Sequence, residues 1–503
     1  MWTRRDFVRA MAAGGVAGAL PFLSHGASVP DVDLRLVASL DRAPIFPGAE
    51  TPILRFSGEL IAGRPDALKP SPSFLGPTLD LRRGERIRVH FVNRLPEPSI
   101  VHWHGMLVPE RADGHPRFAV PSGGTYTYDF VVRNPAGTYF YHPHPHGRTG
   151  FQVYYGLAGL ITVREPFESG MGLPPEAFEL PLVIQDRRVA RDNSLAYAGG
   201  MMDAMNGMLG DTMLVNGLAN AAFPVSPRAY RLRVLNASNA RIYKLAWSDG
   251  APITVVGTDG GFLSAAEGVQ TRAYVTLAPS ERVEIVEDFS RRRPGVEIAL
   301  VSLPFSSGGG MMGGMMGRGM MGGMMGRGMM GGGGQSDELL LARFAVRREP
   351  PVKGDPVRLP AAGERAAGAG VTAYTELGFA RMQGFLNGRT FAIDAVAPDE
   401  RLRVGQPVVW TFANPPAGMM AMPHPMHIHG VQFRILERSG SRFAGRDLAE
   451  GIVSVGRKDS FLILPGEQVR VAFTPSEAGL FLYHCHNLEH EDGGMMRNVL
   501  FEA

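Results

Sequence analysis

A chain of 503 residues exceeds what one hydrophobic core serves, and 45% apolar residues suffice to bury several, so two to four domains are expected. A formal net charge of +3, from 51 basic and 48 acidic side chains, gives no basic footprint for DNA or RNA, and no nucleic-acid partner is expected. The single cysteine, Cys485, excludes an intramolecular disulfide framework and needs another account.

At the N-terminus, Thr3-Arg4-Arg5-Asp6-Phe7-Val8-Arg9 precedes an apolar stretch from Met11 to Leu23 and resembles a twin-arginine export signal. Small residues Gly26-Ala27-Ser28 follow near a cleavage point, so residues 1–27 are expected to be a signal peptide. The chain would then be exported folded, to the periplasm or beyond. No later apolar run is long enough to span a bilayer, so no membrane span is expected.

Short apolar runs of period 2 recur after the leader, as in Ile87 to Phe91, Leu232 to Val234, Val283 to Ile285 and Val469 to Val471. Such runs predict half-buried strands and an all-β protein. Three of them end alike, in Phe91-Val92-Asn93, Val234-Leu235-Asn236 and Phe412-Ala413-Asn414, which points to three copies of one β-domain. The copies are expected at 40–165, 166–350 and 351–503.

Late in the middle copy, residues 308–334 carry a nine-residue repeat of paired methionines and glycines. The pairs are Met311 with Met312, Met315 with Met316, Met320 with Met321, Met324 with Met325, and Met329 with Met330. The glycine content makes ordering entropically expensive, so a loop inserted in the domain is expected. Paired thioethers are soft donors suited to gathering Cu(I).

Ten of the fourteen histidines fall in four short motifs: His102 and His104; His142 and His144; His424, His427 and His429; His484, His486 and His490. The segment from Gly137 to His144 aligns with Gly479 to His486, and His102-Trp103-His104-Gly105 aligns with His427-Ile428-His429-Gly430; the middle copy lacks both. Side chains alternate faces along a strand, so both histidines of a His-x-His pair point the same way. Cys485, between His484 and His486, must then point the other way, and His424, at an odd offset from His427, can join it. One thiolate, two imidazoles (His424, His490) and a nearby thioether, Met495, favour a mononuclear electron-transfer copper. A structural zinc would be closed by four ligands and leave the other histidines unexplained. His25, His90, His115 and His146 are read as ordinary core or surface residues.

Together these motifs resemble the copper signatures of the multicopper oxidases, from about residue 40 to the end, and look closest to bacterial laccases and copper-efflux oxidases. The resemblance implies three cupredoxin-like Greek-key β-sandwich domains and four copper ions. The type 1 copper would take His424, Cys485, His490 and Met495, and the type 2 copper His102 and His427. The type 3 pair would take His104, His142, His144, His429, His484 and His486. Pro143 stands where the third copy has Cys485, so the first copy should hold no type 1 copper. Glu491 and Asp113 are the carboxylates expected to carry protons. Met422 matches a substrate-binding methionine of the copper-efflux type, while Met420 stands in place of an aspartate. The implied activity is one-electron oxidation of Cu(I), or of phenols and aromatic amines, coupled to four-electron reduction of O2 by a monomer, with a role in copper tolerance. A general laccase is the alternative, and a non-enzymatic envelope protein on this fold is disfavoured by the intact ligand set.

Overall fold

The structure, a computed structural model, describes residues 29–197, 200–306, 335–361, 370–380, 383–416, 422–440 and 446–503. The export signal expected at 1–27 lies outside the described residues. So does the methionine insert at 308–334, and with it every Cu(I) donor expected there: Met311, Met312, Met315, Met316, Met320, Met321, Met324, Met325, Met329 and Met330. Met420 also lies outside them, whereas Met422 is described.

Six sheets pair into three sandwiches. In the first copy, the strands Thr51–Ala62, Val32–Ala43, Arg86–Asn93 and Thr125–Val131 form one sheet in that order. The other runs Leu68–Lys69, Thr78–Arg82, Gly159–Arg164, Gly137–Pro143, Val101–His104. Val89 and Phe91 from one sheet share a core with Trp103 and Tyr141 from the other. Strict alternation along Arg86–Asn93 buries Ile87, Val89, Phe91 and Asn93, as a half-buried strand requires. The expected start at residue 40 was too late. Val32, Leu34, Leu36 and Ala38 are fully buried, and their strand pairs in parallel with Arg86–Asn93.

The middle copy pairs a sheet containing Glu179–Arg187, Ala229–Asn236, Arg282–Asp288 and Ile253–Thr258 with a five-stranded one, Ala222–Val225, Leu339–Val346, Glu297–Ser302, Tyr243–Trp247, Val275–Leu277. Here the expectation of half-buried strands fails, because Arg231, Arg233 and Glu284, the polar residues of two strands, are also buried. Arg231 and Arg233 donate to Glu284 at 2.7 and 2.9 Å, and Arg233 reaches Thr138 of the first copy at 3.0 Å. The first copy covers this face, and paired charges with hydrogen bonds make the burial tolerable.

In the third copy, Gln383–Leu386, Val371–Ala380, Val408–Ala413, Glu467–Phe473 and Arg434–Gly440 form one sheet. Arg401–Arg403, Met496–Glu502, Gly479–Cys485, His424–Ile428 and Ser460–Ile463 form the other.

The repeated terminal asparagine has a physical role. The Asn93 amide donates to Glu97 O and Val120 O at 2.8 Å each, and its carbonyl accepts from Leu95 N. Asn236 does the same with Arg241 O, Leu277 O and Ser238 N, and the Asn414 amide donates to Met422 O. Each closes the turn that follows its strand, a use suited to a short amide side chain. No described helix is long and apolar enough to cross a membrane.

Candidate metal centre

Two antiparallel strand pairs bring the histidines together. Val101–His104 pairs with Gly137–Pro143, setting His102 opposite His142, and His424–Ile428 pairs with Gly479–Cys485, setting His427 opposite His484 and Met426 opposite Cys485. Alternation then divides the residues by face. Cys485, Met426 and Met495 belong to the apolar core of the third sandwich, whereas His427 and His484 point out of it to meet the first copy.

On the inner face, Cys485 Sγ lies 3.5 Å from His424 Nδ1 and 3.7 Å from His490 Nδ1, and all three residues are buried. His490 starts from the short helix Leu488–Asp492, capped by the Asn487 side chain. Its Nε2 donates to Met205 O at 2.9 Å, which leaves Nδ1 turned to the sulfur. Met495 is fully buried, and its backbone accepts from Cys485 N and donates to His490 O. Burial raises the Cys485 thiol above its usual range; a bound cation reverses this by taking the thiolate.

On the outer face, eight imidazoles converge. His102 Nε2 lies 3.4 Å from His427 Nε2. His484 Nε2 is 3.0 Å from His429 Nε2 and 3.3 Å from His144 Nε2. His104 Nδ1 is 3.4 Å from His142 Nε2, and the ring of His486 is centred 5.0 Å from that of His104 and 5.3 Å from that of His142. Outer nitrogens are held by the backbone: His102 Nδ1 by Asp113 O at 2.6 Å, His427 Nδ1 by Asp459 O at 2.7 Å, His142 Nδ1 by Pro143 O at 2.9 Å. Burial holds His142 and His490 down at about 4 and His102, His104, His144, His424, His427, His429 and His486 well below the usual imidazole value. These rings are therefore neutral and offer lone pairs.

Both expected carboxylates border this cluster. Asp113 lies in a one-turn helix, Glu110–Asp113, rather than in an irregular loop, because Gly114 at φ +88° closes the turn. Its Oδ2 accepts from His429 Nδ1 at 2.8 Å. Burial raises its carboxyl well above the usual range. Glu491 is buried with its oxygens 3.5 Å from His144 Nε2 and 3.1 Å from His484 Nδ1. Three residue groups escaped the sequence reading: Asp459 and Ser460, which touch His104 and His427; Arg282, which grips Asp459; and the helix Met201–Asn206, whose Met205 holds His490. Asp459 and Ser460 follow Lys458 in a stretch without histidine, and Met205 acts through its backbone, so neither carries a local signature. His115 is a satisfied core histidine, with Nε2 2.9 Å from Asn498 Oδ1.

The donors suit copper. Cys485, His424 and His490 form one compact buried group, and the outer histidines form several more. His486 has both ring nitrogens buried without a hydrogen-bond partner among the described residues. An orphaned buried nitrogen is costly, and a metal ion satisfies it. A thiolate with two imidazoles matches the softness of copper.

Paired β-sandwiches carrying a thiolate site on one face of a strand and a polyhistidine cluster on the other define a metal-dependent oxidoreductase of cupredoxin fold. Multicopper oxidase family models match residues 70–168 and 368–503, the first and third copies. The multicopper oxidase mco of Staphylococcus epidermidis is 29% identical over 427 residues, covering 85% of this chain and 82% of that protein. A laccase of Bacillus stratosphericus is 30% identical over 477 residues, covering 84% and 88%. The McoA multicopper oxidase of the hyperthermophile Aquifex aeolicus superposes with a TM-score of 0.76 at 32% identity, covering 94% of this chain and 97% of that one. The chain belongs to the multicopper oxidase family, enzymes that use O2 and a reducing substrate.

Proposed function

We propose that this multicopper oxidase is a cuprous oxidase of the cell envelope, exported folded by the twin-arginine route and acting as a monomer in copper tolerance. The observation that carries the reading is Met422, a buried soft thioether two residues before His424. A small cleft of about 20 Å³ is lined by Asn206, Ile242, Met422, Pro423, Pro425 and Asn487. Met422 lines the cleft and supplies a soft thioether. His424 and His490 are only 3% and 1% exposed, so a bulky reductant has little ring edge to touch.

In this reading His424, Cys485, His490 and Met495 hold the type 1 copper. His102 and His427 hold type 2, and His144, His429 and His484 with His104, His142 and His486 hold the type 3 pair. The shortest nitrogen contacts, His102 with His427, His484 with His429 and His144, and His104 with His142, are consistent with that division. Bound copper supplies one-electron redox chemistry, with electrons accepted from the substrate at one ion and used for reduction of O2 to water at three. The chain supplies the rest. Cys485 sits between His484 and His486, so a single peptide unit on either side links the two sites. Asp113 orients His429 through a carboxyl oxygen and His102 through its backbone carbonyl. Glu491 sets a carboxyl against His144 and His484, the position from which protons would be passed to the site.

The relative from Bacillus stratosphericus is a laccase, and a general laccase acting on phenols is the competing reading. Oxygen uptake measured in parallel with Cu(I) and with a bulky phenol separates them: Cu(I) is expected to turn over faster. Deleting residues 308–334 is expected to lower the Cu(I) rate, most at low copper, and to leave the phenol rate unchanged or higher. Faster phenol turnover by the intact chain, with Cu(I) a poor substrate, would overturn the cuprous reading in favour of the laccase.

A further inference from the structure

The middle copy gives no histidine to the cluster, yet it sends one charged side chain to its edge. Arg282, at the start of the strand Arg282–Asp288, is fully buried. All five N–H donors of its guanidinium find acceptors. Nε donates to Thr138 O at 3.0 Å, on the strand that leads to His142 and His144. Nη1 donates to Ser280 O at 3.0 Å and Nη2 to Asp259 O at 2.9 Å. The remaining pair forks onto Asp459, at 2.7 Å to Oδ1 and 2.6 Å to Oδ2.

Asp459 passes that grip to two histidines from different copies. Its Oδ1 lies 3.1 Å from His104 Nε2, and its backbone carbonyl lies 2.7 Å from His427 Nδ1. This leaves His104 Nδ1 and His427 Nε2 turned to the other imidazoles. Ser460 Oγ, held by Ser280 Oγ at 2.9 Å, donates to Asp459 Oδ1 at 3.0 Å. The neighbouring cation, Lys458, is committed to Asp259 at 2.9 Å and Glu281 at 3.1 Å, so Arg282 is the partner of Asp459. Gly105, beside His104, has φ +78°, and a Cβ there would collide with the Asp459 carboxylate and the Arg282 guanidinium. The backbone of the first copy is thus shaped to this ion pair.

We infer that Arg282 is a positioning residue for the histidine cluster: through Asp459 it fixes which ring nitrogen of His104 and of His427 faces inward, tying all three copies to one centre. A planar fork does this because two parallel hydrogen bonds define the carboxylate plane, which a lysine ammonium does not. The inference rests on the copper assignment above.

The test compares full-length copper-loaded wild type with Arg282→Lys, Arg282→Met and Asp459→Asn. Copper per chain, the visible thiolate-to-copper band, the electron paramagnetic resonance of the type 2 copper and O2 uptake are read together. In Arg282→Lys the charge stays and the fork is lost. The visible band and its reduction by substrate should be unchanged, the type 2 hyperfine pattern should shift, and O2 uptake should fall at least tenfold. Asp459→Asn keeps the side-chain shape and should give the same signature. A wild-type type 2 spectrum and rate in both variants would overturn the inference. So would a visible band lost in step with cluster copper in every variant, which is the mark of a merely structural role. A wild type without any visible band would instead refute the copper assignment.

Discussion

Glu491 is 1% exposed, and neither carboxylate oxygen has a well-directed hydrogen bond among the described residues, although imidazoles border both. A carboxyl group kept beside a redox centre without a structural partner is suited to carrying protons. Glu491→Gln preserves volume and removes that capacity, so O2 uptake is expected to fall by about 10²-fold or more. Stopped-flow reduction of the visible band by substrate should stay as fast as in wild type, because that site lies on the other face of the strand. Equal slowing of both steps would sink the proton-carrier role. At this scale the sequence was informative wherever function sits within a few residues of a motif. The shared direction of each His-x-His pair and the opposite direction of Cys485 were legible because strand alternation fixes them, whereas Glu491 was reached only through the family resemblance. Arg282 and Asp459 were not legible, since they are 177 residues apart in the chain, and Asp459 meets His104 across 355. No local pattern encodes such a meeting.

Gly479–Cys485 is the element on which both sites depend, one on each face. Cys485 faces the core with Met426 and Met495, while the flanking His484 and His486 face the first copy. The two sites should therefore be separable by mutation. Cys485→Ser keeps a similar volume and removes the thiolate. The visible absorption is expected to vanish and copper to fall by about one ion per chain, with the resonance of the cluster copper retained. Loss of all copper on dialysis, followed by metal analysis, would show that the faces do not act independently. The helix Met201–Asn206 shows the limit of pattern reading for elements. It is six residues long, too short for a periodic signal, and its contact with His490 is made by a carbonyl that any residue could provide. Its last residue, Asn206, accepts from the Asn487 amide at 3.1 Å through its backbone carbonyl, while the Asn239 and Tyr197 side chains donate to Glu489 at 2.8 and 3.0 Å, so the middle copy closes over the helix that carries His490.

At the scale of the whole molecule, the three copies were legible from their turn-closing asparagines, but the purpose of the middle one was not. Its strands read as half-buried because alternation cannot reveal that a neighbouring domain covers the polar face. The same packing buries the histidines and gives the metal-free chain a definite response to pH. In the unfolded chain imidazoles take up protons below about 6.5. In the folded chain burial holds His142 and His490 at about 4 and His102, His104, His144, His424, His427, His429 and His486 well below their usual value. Between those limits the unfolded state binds more protons, so stability present above pH 6.5 is lost as the pH falls towards about 4. Each such proton changes stability by about 1.4 kcal/mol per pH unit. Asp113, Asp259, Glu287, Glu489 and Asp492, whose carboxyls burial raises, act in the opposite sense. They are protonated in the fold where free acids are ionised, so they favour the folded state as the pH falls, but the histidines outnumber them. Thermal unfolding followed by circular dichroism at pH 7, 6 and 5 is therefore expected to show a steep decline in Tm for the chelated protein. Copper-loaded protein should decline much less over the same range, because bound ions keep the imidazoles unprotonated. A chelated protein whose Tm is flat from pH 7 to 5 would mean that the cluster opens to water without its metal.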